Sequence, residues 1–227
     1  MTAEILHAAV HLNQVGANEF VRGNLTVALD SFRHALQTML SFVPRADYRE
    51  TMDFTHVDSF GLAAMGISFV PSQSANRANK FGEPFTYLQP FVFNANLMPQ
   101  DQDGIAVFSA VVVFNMAIVY HMKSLIDNDL FRTKALHLYE SSVDLFSKIS
   151  SRYDLSATIA VALNNKASLY FARDEYESSD RELGRLQSIM ERAEYSISTA
   201  AILRGSDFQG ILLNMLTLRP PRVAHAA

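Results

Sequence analysis

A repeated helical hairpin is the feature that most constrains how this sequence folds. Residues 157–186 read ATIAVALNNKASLYFARDEYESSDRELGRL and contain two stretches of helical periodicity, separated at Arg173-Asp174. Two amphipathic helices joined by so short a connection pack against each other in antiparallel orientation. Because the same pattern precedes this unit, we predict a mainly α fold built as an array of antiparallel helical hairpins.

The pattern also sets the boundaries of the predicted elements, which are helix pairs at 4–42, 103–150 and 155–195 and a capping helix at 206–218. In the first pair, Gly23-Asn24 interrupts the periodicity, and the Asn24 side chain is expected to cap the second helix. We therefore predict one helical-repeat domain over residues 1–227.

An irregular insertion is expected over residues 44–102, because five of the seven prolines fall there. Proline lacks a backbone donor and fixes φ, so long helices are disfavoured in this stretch. Two β-prone runs, Gly66–Val70 and Phe85–Phe93, flank a polar loop at 71–83. An isolated hairpin is marginal in water, so we predict a short β ribbon that lies against the helices or against a partner.

Charge and cysteine content exclude several classes of function. The net charge is −4 and no Lys/Arg run occurs, which argues against a nucleic-acid partner. Cysteine is absent, which excludes disulfides, thiolate catalysis and cysteine-bound zinc. The N-terminal stretch resembles neither a secretory signal nor a transit peptide, so we expect an intracellular protein, cytoplasmic or nuclear.

One apolar run requires a comparison with membrane segments. Ile105–Tyr120 contains only Ser109 and Asn115 as polar residues, but it is 16 residues long. A helix needs roughly 20 apolar residues to cross a bilayer. We therefore expect a buried core helix and no membrane partner.

Small and aromatic residues recur in the helix pairs at positions typical of tetratricopeptide repeats. They are Gly16, Phe20, Gly23, Ala28, Phe32 and Ala35 in the first pair, Ala117, Tyr120, Ala135 and Tyr139 in the second, and Ala167, Tyr170 and Tyr176 in the third. A small residue allows close helix approach and a ring fills the adjacent space. The chain resembles that family, although Asn115 and Asn165 are 50 residues apart against about 34 in the standard repeat.

A narrower resemblance rests on VVVFNMAIVYHMKSL, KALHLYESSVDLF, ALNNKASLYF and the closing ILLNMLTLRPPRVAHAA. These stretches are similar to a set of uncharacterised helical-repeat proteins from diatom genomes. The resemblance covers residues 105–227 and, less clearly, 10–40. It implies a fold and no particular chemistry.

The resemblance to tetratricopeptide repeats places the first helix of each pair on a concave face. Peptide-binding members of that family use a lysine and an asparagine there to bind a carboxylate. The matching positions here are Asn13 and Ala17, then Phe114 and Ile118, then Asn164 and Ser168. Because the lysine is missing, binding of an acidic chain end is not expected.

What remains on this face is apolar with scattered amides, and an amide can both donate to and accept from an extended backbone. Asn115 and Asn165 are the residues chosen for that role. The predicted partner-binding residues are Asn13, Phe20, Phe114, Asn115, Ile118, His121, Asn164, Asn165 and Phe171. Two alternatives stay open: the 44–102 insertion fills this face, or the asparagines are interior amides that bridge helices.

Candidates for catalysis and metal binding are few. Asp53, His56 and Asp58 lie close together in sequence, and His7 and His11 are four residues apart on one helix. Neither group belongs to a recognised metal or catalytic motif, so a solvated surface is favoured for Asp53, His56 and Asp58, and a surface or groove position for His7 and His11. No catalytic residue, metal or cofactor is expected.

We therefore expect a non-catalytic protein–protein interaction module that binds a peptide or a partner subunit on an apolar, amide-containing concave face. The alternative is a small-molecule or lipid-binding protein with a pocket between the insertion and the helices. An enzyme built around His56 and Asp58 is a third hypothesis. Homo-oligomers are also expected, because helical arrays have open ends and the last helix is strongly apolar.

Overall fold

A computed structural model describes residues 3–41, 60–61, 67–69, 84–98, 101–126, 129–149, 153–193 and 205–219. The helices in these ranges are α1 (Ala3–Val21), α2 (Leu25–Leu40), α3 (Gln102–Ile126), α4 (Asp129–Ser147), α5 (Ser156–Phe171), α6 (Tyr176–Ala193) and α7 (Gly205–Thr217). The strands are β1 (Phe60–Gly61), β2 (Ile67–Phe69), β3 (Phe91–Phe93) and β4 (Tyr153–Asp154). The predicted mainly α fold of helical hairpins with a short β ribbon is confirmed.

The chain forms two compact units. Unit 1 comprises Met1–Gln73 and Gln89–Leu155, and unit 2 comprises Ser74–Leu88 and Ser156–Ala227. Unit 1 therefore contains the α1/α2 and α3/α4 hairpins, whereas unit 2 contains the α5/α6 hairpin and α7. That residues 1–227 form a single repeat domain stays a prediction.

The α1/α2 hairpin turns at Gly23, whose φ of +84° is accessible to glycine at little cost. The Asn24 amide donates to the Glu19 carbonyl at 2.9 Å, and the Gly23 amide donates to Phe20. This pair of bonds is the Schellman motif, which satisfies the last carbonyls of a helix. The Asn24 side chain does not cap α2 as expected, and its Nδ2 donates to the Glu19 carboxylate at 2.6 Å.

The α5/α6 hairpin ends its first helix in the same way. The Glu175 amide donates to the Tyr170 carbonyl at 3.0 Å, and the Asp174 amide donates to Phe171 at 3.1 Å. Here the residue with positive φ, +59°, is Asp174. The short break in the sequence pattern therefore corresponds to a helix-terminating turn in both hairpins.

Helix α3 is the core helix of unit 1. It packs against α2 and α4, and the Ser142 hydroxyl of α4 donates to the Ala110 carbonyl of α3 at 2.9 Å. The helix is longer than the apolar run in the sequence, and Gln102–Leu125 is long and apolar enough to cross a membrane. However, 78% of its most apolar window is buried inside the protein, as in a core helix.

The predicted ribbon forms between β2 and β3, which pair antiparallel with Ile67 opposite Phe93 and Phe69 opposite Phe91. Strand β3 also packs on α1 and α3, so the ribbon lies against helices as expected. A parallel pairing of β1 with β4, Phe60 opposite Tyr153, was not predicted. These strands have two residues each, which is too short to produce a periodicity in the sequence.

Candidate functional site

In unit 1, Asn115 of α3 binds both backbone groups of Phe91. The Phe91 amide donates to Asn115 Oδ1 at 2.9 Å, and Asn115 Nδ2 donates to the Phe91 carbonyl at 2.8 Å. One side-chain amide thus satisfies the N–H and the C=O of one residue, as a neighbouring strand would.

Asn13 of α1 completes this arrangement. Its Nδ2 donates to the same Phe91 carbonyl at 3.0 Å, and its Oδ1 accepts the second hydrogen of Asn115 Nδ2 at 2.9 Å. Four hydrogen bonds therefore connect α1, α3 and one backbone residue. Both asparagines are fully buried, so these bonds form without competition from water.

In unit 2, Asn214 of α7 and Asn164 of α5 make the same four bonds around Phe85. The Phe85 amide donates to Asn214 Oδ1 at 2.8 Å, and Asn214 Nδ2 donates to the Phe85 carbonyl at 2.6 Å. Asn164 Nδ2 donates to that carbonyl at 3.1 Å, while Asn164 Oδ1 accepts from Asn214 at 2.8 Å. Asn164 thus has the role of Asn13, and Asn214 has the role of Asn115.

Tyr87, two residues after Phe85, also has both of its backbone groups bound by one asparagine. The Tyr87 amide donates to Asn165 Oδ1 at 2.8 Å, and Asn165 Nδ2 donates to the Tyr87 carbonyl at 2.7 Å. Phe85 and Tyr87 therefore direct their backbone groups to the same side, which is the period of an extended chain. Ser168 of α5 adds a hydroxyl donor to the Phe85 carbonyl at 3.1 Å.

We call each set an asparagine clamp: Asn13 and Asn115 form the clamp of unit 1, and Asn164, Asn165 and Asn214 form the clamp of unit 2. In unit 1, the Phe91 backbone groups face the clamp, so those of the next residue, Val92, face β2. Strand β2 and the clamp therefore bind opposite edges of β3.

Comparisons with models of protein families, with curated proteins and with solved structures find no match to this chain. The resemblance to tetratricopeptide repeats and to diatom proteins therefore stays a prediction.

The structure places four predicted partner-binding residues in the clamps: Asn13, Asn115, Asn164 and Asn165. All four have no exposed surface. Features of both alternatives left open by the sequence are present, because Phe85, Tyr87 and Phe91 of the 44–102 insertion supply the backbone that the asparagines bind. The same amides also bridge helices, as α1 to α3 and α5 to α7.

The other predicted residues lie at several places. Phe114 packs edge-on against Phe91 with ring centroids 5.1 Å apart, beside the clamp. Phe20 and Ile118 are buried core residues of unit 1. Phe171 is half-buried in unit 2, where its ring contacts Tyr176 near the α5/α6 turn.

His121 lies inside the α3/α4 hairpin, where its Nδ1 is 3.2 Å from the Tyr139 hydroxyl. Burial, with a smaller contribution from the charge of Arg132, lowers the pKa of His121 from 6.5 to about 3. The imidazole is therefore neutral near pH 7. Its contact with Tyr139 joins α3 to α4.

A buried ion pair joins α5 to α6 in unit 2. Lys166 Nζ lies 3.1 Å from Glu182 Oε1, and Arg185 binds the other carboxylate oxygen at 3.0 Å. Burial lowers the pKa of Lys166, and the nearby Glu182 carboxylate partly opposes that shift. The network therefore connects the two helices of one hairpin.

Asn214 is the clamp residue that the sequence interpretation missed. It was assigned to a capping helix because its neighbours are apolar. Its spacing carries a signal, since Asn164 and Asn214 are 50 residues apart, like Asn115 and Asn165. A step of 50 residues from the predicted site residue Asn164 reaches Asn214, whereas the same step from Asn165 reaches Met215.

The remaining candidates do not form a site in the described residues. Asp53, His56 and Asp58 lie outside them. His7 and His11 are exposed on α1. Within the part of the chain that the structure describes, no three side chains of His, Asp or Glu come together to hold a metal ion.

Proposed function

We propose that this protein is a non-catalytic protein-interaction module whose asparagine clamps bind an extended polypeptide through its backbone. The observation that supports the proposal is the repetition of the same four hydrogen bonds around Phe91 in unit 1 and around Phe85 in unit 2. Two separate helix pairs that present amides in the same way define a recognition chemistry.

The chemistry of the clamps favours a peptide ligand over other classes. Each clamp contacts an N–H and a C=O of one residue, and every non-proline residue of a polypeptide offers both groups. The contacting side chains of the clamps are neutral amides, with one serine hydroxyl. A phosphate or carboxylate ligand would instead be expected to meet cationic side chains.

In the proposal, a peptide or a partner subunit takes the place that Phe91 occupies in the clamp of unit 1, or that Phe85 and Tyr87 occupy in the clamp of unit 2. Backbone binding of this kind resembles the addition of a strand to a sheet edge, where main-chain bonds supply affinity and side-chain pockets supply specificity. The backbone of Phe85, Tyr87 and Phe91 then shows the hydrogen bonds that a bound peptide would make.

The alternative function, a small-molecule or lipid site between the insertion and the helices, gains no supporting contact from the described residues. In unit 1 that position is filled by rings, with Phe91 against Phe114 and Phe93 against Phe108. An enzyme is not proposed either, because the buried His121 and Lys166 bond within their own hairpins.

Selection of a random, unstructured 12-residue peptide library on the immobilised full chain tests the proposal. We expect enriched peptides whose binding speeds hydrogen exchange at the Phe85, Tyr87 and Phe91 amides, because the internal segment is displaced. This readout uses the wild-type protein and does not depend on the folding of a variant. No enrichment, or enriched peptides that leave exchange at all three amides unchanged, would contradict it.

A further inference from the structure

The segment bound by the clamps carries aromatic residues at alternate positions. They are Phe85 and Tyr87 in unit 2, and Phe91 and Phe93 in unit 1. Each is at most 8% exposed. Because alternate side chains of an extended strand project to one side, each unit receives an aromatic-x-aromatic pair together with the clamped backbone.

In unit 2, α7 has a glycine where the Phe85 ring lies. A Cβ atom on Gly210 would be 2.4 Å from two carbons of that ring, which is far inside van der Waals contact. Gly210 is one turn before Asn214, so the residue that admits the ring and the residue that binds the backbone share one face of α7. The site is therefore shaped for a large flat side chain at this position.

In unit 1, α3 provides rings for the second pair. Phe114 packs edge-on against Phe91, with ring centroids 5.1 Å apart, and it directly precedes Asn115 of the clamp. Phe108 contacts Phe93 with ring centroids 4.8 Å apart. Aromatic pairs in such geometries contribute beyond their buried area, so these positions favour aromatic over aliphatic side chains.

We infer that the ligand class of the clamps is an extended peptide with aromatic residues at alternate positions, and that residues 84–93 are a covalently attached copy of that ligand. This rests on the proposed function, since it adds side-chain specificity to backbone binding. A tethered segment competes at an effective concentration in the millimolar range. A free peptide therefore binds much more tightly once the tethered copy is weakened.

The test uses two synthetic peptides with fluorescent labels. The first, PFTYLQPFVFN, reproduces residues 84–94. The second, PSTSLQPSVSN, replaces the four aromatic residues by serine and keeps the backbone groups and both prolines. Anisotropy measures their binding to the wild-type full chain and to the double variant Phe85→Ala/Phe91→Ala. We expect the aromatic peptide to bind the double variant at least about tenfold more tightly than the wild type, and the serine peptide to bind neither.

The outcomes separate this inference from the proposed function. Equal binding of both peptides to the double variant overturns the aromatic specificity and leaves backbone binding in place. Failure of both peptides to bind either protein contradicts both proposals. If the double variant is unfolded, circular dichroism is measured after each peptide is added. Recovery of helix with the aromatic peptide but not with the serine peptide supports the inference. No recovery of helix with the aromatic peptide overturns it.

Substitution of Gly210 in α7 tests separately whether this glycine makes room for the Phe85 ring. Gly210→Ala is expected to lower Tm by several degrees, because the new Cβ meets the Phe85 ring. Adding Phe85→Ala removes the clash, so the double variant should melt no lower than Phe85→Ala alone. Additive losses of Tm would mean that Gly210 does not select for the ring.

Discussion

Asparagine is the side chain on which this fold and its proposed function depend at the level of single residues. A side-chain amide carries one acceptor and two donor hydrogens, which is the set needed to satisfy a backbone N–H, a backbone C=O and one further amide. Asn115 uses all three on Phe91 and Asn13. Neither an aspartate nor a leucine at this position could replace it.

Replacement of Asn115 by alanine should destabilise the protein by about 2–4 kcal/mol, because a buried backbone N–H of Phe91 loses its partner. Asn13→Ala should cost less, since Asn115 still donates to the Phe91 carbonyl. The exposed Asn18 on the same helix is the control, with an expected change within about 0.5 kcal/mol. Urea unfolding measures all three, and equal losses for Asn115 and Asn18 would refute the clamp.

His121 should make the stability depend on pH. Its folded-state pKa of about 3 lies below the unfolded value of 6.5, so the unfolded chain binds the extra proton. Stability from this residue is complete above pH 6.5 and falls by about 1.4 kcal/mol per pH unit as pH drops toward 3.

The pH dependence is checked by comparing the wild type with His121→Asn, whose Oδ1 approximates the position of Nδ1. The difference in unfolding free energy between the two proteins should shift steadily in favour of the variant between pH 6.5 and 4. His137→Asn, at an exposed position of α4, is the control. A constant difference across this range would show that His121 is not buried as a neutral imidazole.

At the level of elements, the sequence predicted that helices pack closely, but it did not predict which hydrogen bonds form at their ends. The spacing of Gly16 and Phe32 indicated a packed α1/α2 hairpin, and Gly16 does lie directly under the Phe32 ring. The expected Asn24 cap is not formed, and the Asn24 side chain instead donates through Nδ2 to the Glu19 carboxylate. Helix periodicity is a local property, whereas the choice between two polar partners depends on coordinates.

Replacement of glycine by alanine is expected to change stability in opposite directions at two positions. Gly16→Ala should destabilise by about 1–3 kcal/mol, because the new Cβ lies 2.7 Å from the Phe32 ring. Gly184→Ala, in α6, should stabilise by about 0.5–1 kcal/mol, because among the described residues no atom beyond its chain neighbours and the nearby backbone of α6 lies within 4 Å of the added Cβ. Thermal unfolding of both variants measures this, and changes of the same sign would contradict the described packing.

The ion pair between α5 and α6 should behave as a coupled unit. Glu182→Leu alone should cost about 3–5 kcal/mol, because it leaves the buried Lys166 without its carboxylate. The double variant Lys166→Met/Glu182→Leu should recover most of that loss, since an apolar pair of similar volume replaces the charges. A double-mutant cycle by urea unfolding gives the coupling, and strictly additive losses would argue against it.

For the whole molecule, the sequence indicated the components but not how they combine. Hairpins, ribbon and amide-bearing helices follow from periodicity and composition. The occupant of the clamps does not, because Phe85 and Asn214 are 129 residues apart in the chain. Nothing in a single sequence specifies which of many extended segments satisfies a particular pair of buried asparagines.

The division into two units has a parallel in the clamps. Each unit has its own clamp, on α1 and α3 in one and on α5 and α7 in the other. The residues with the same role in the two clamps, Asn13 with Asn164 and Asn115 with Asn214, are not separated by the period of 50 residues, which connects Asn164 with Asn214 inside one clamp. Because each clamp lies within one unit, loss of one clamp should weaken its own unit first.

Amide hydrogen exchange of the full chain is the most direct test of backbone binding by the clamps. The Phe85, Tyr87 and Phe91 amides should exchange on the order of 1,000-fold or more slowly than in an unstructured peptide, because each donates to a buried asparagine. Asn165→Ala should accelerate exchange at Tyr87 more than at Phe91, and Asn115→Ala should do the reverse. Exchange of all three amides at the rate of an unstructured chain would contradict the account.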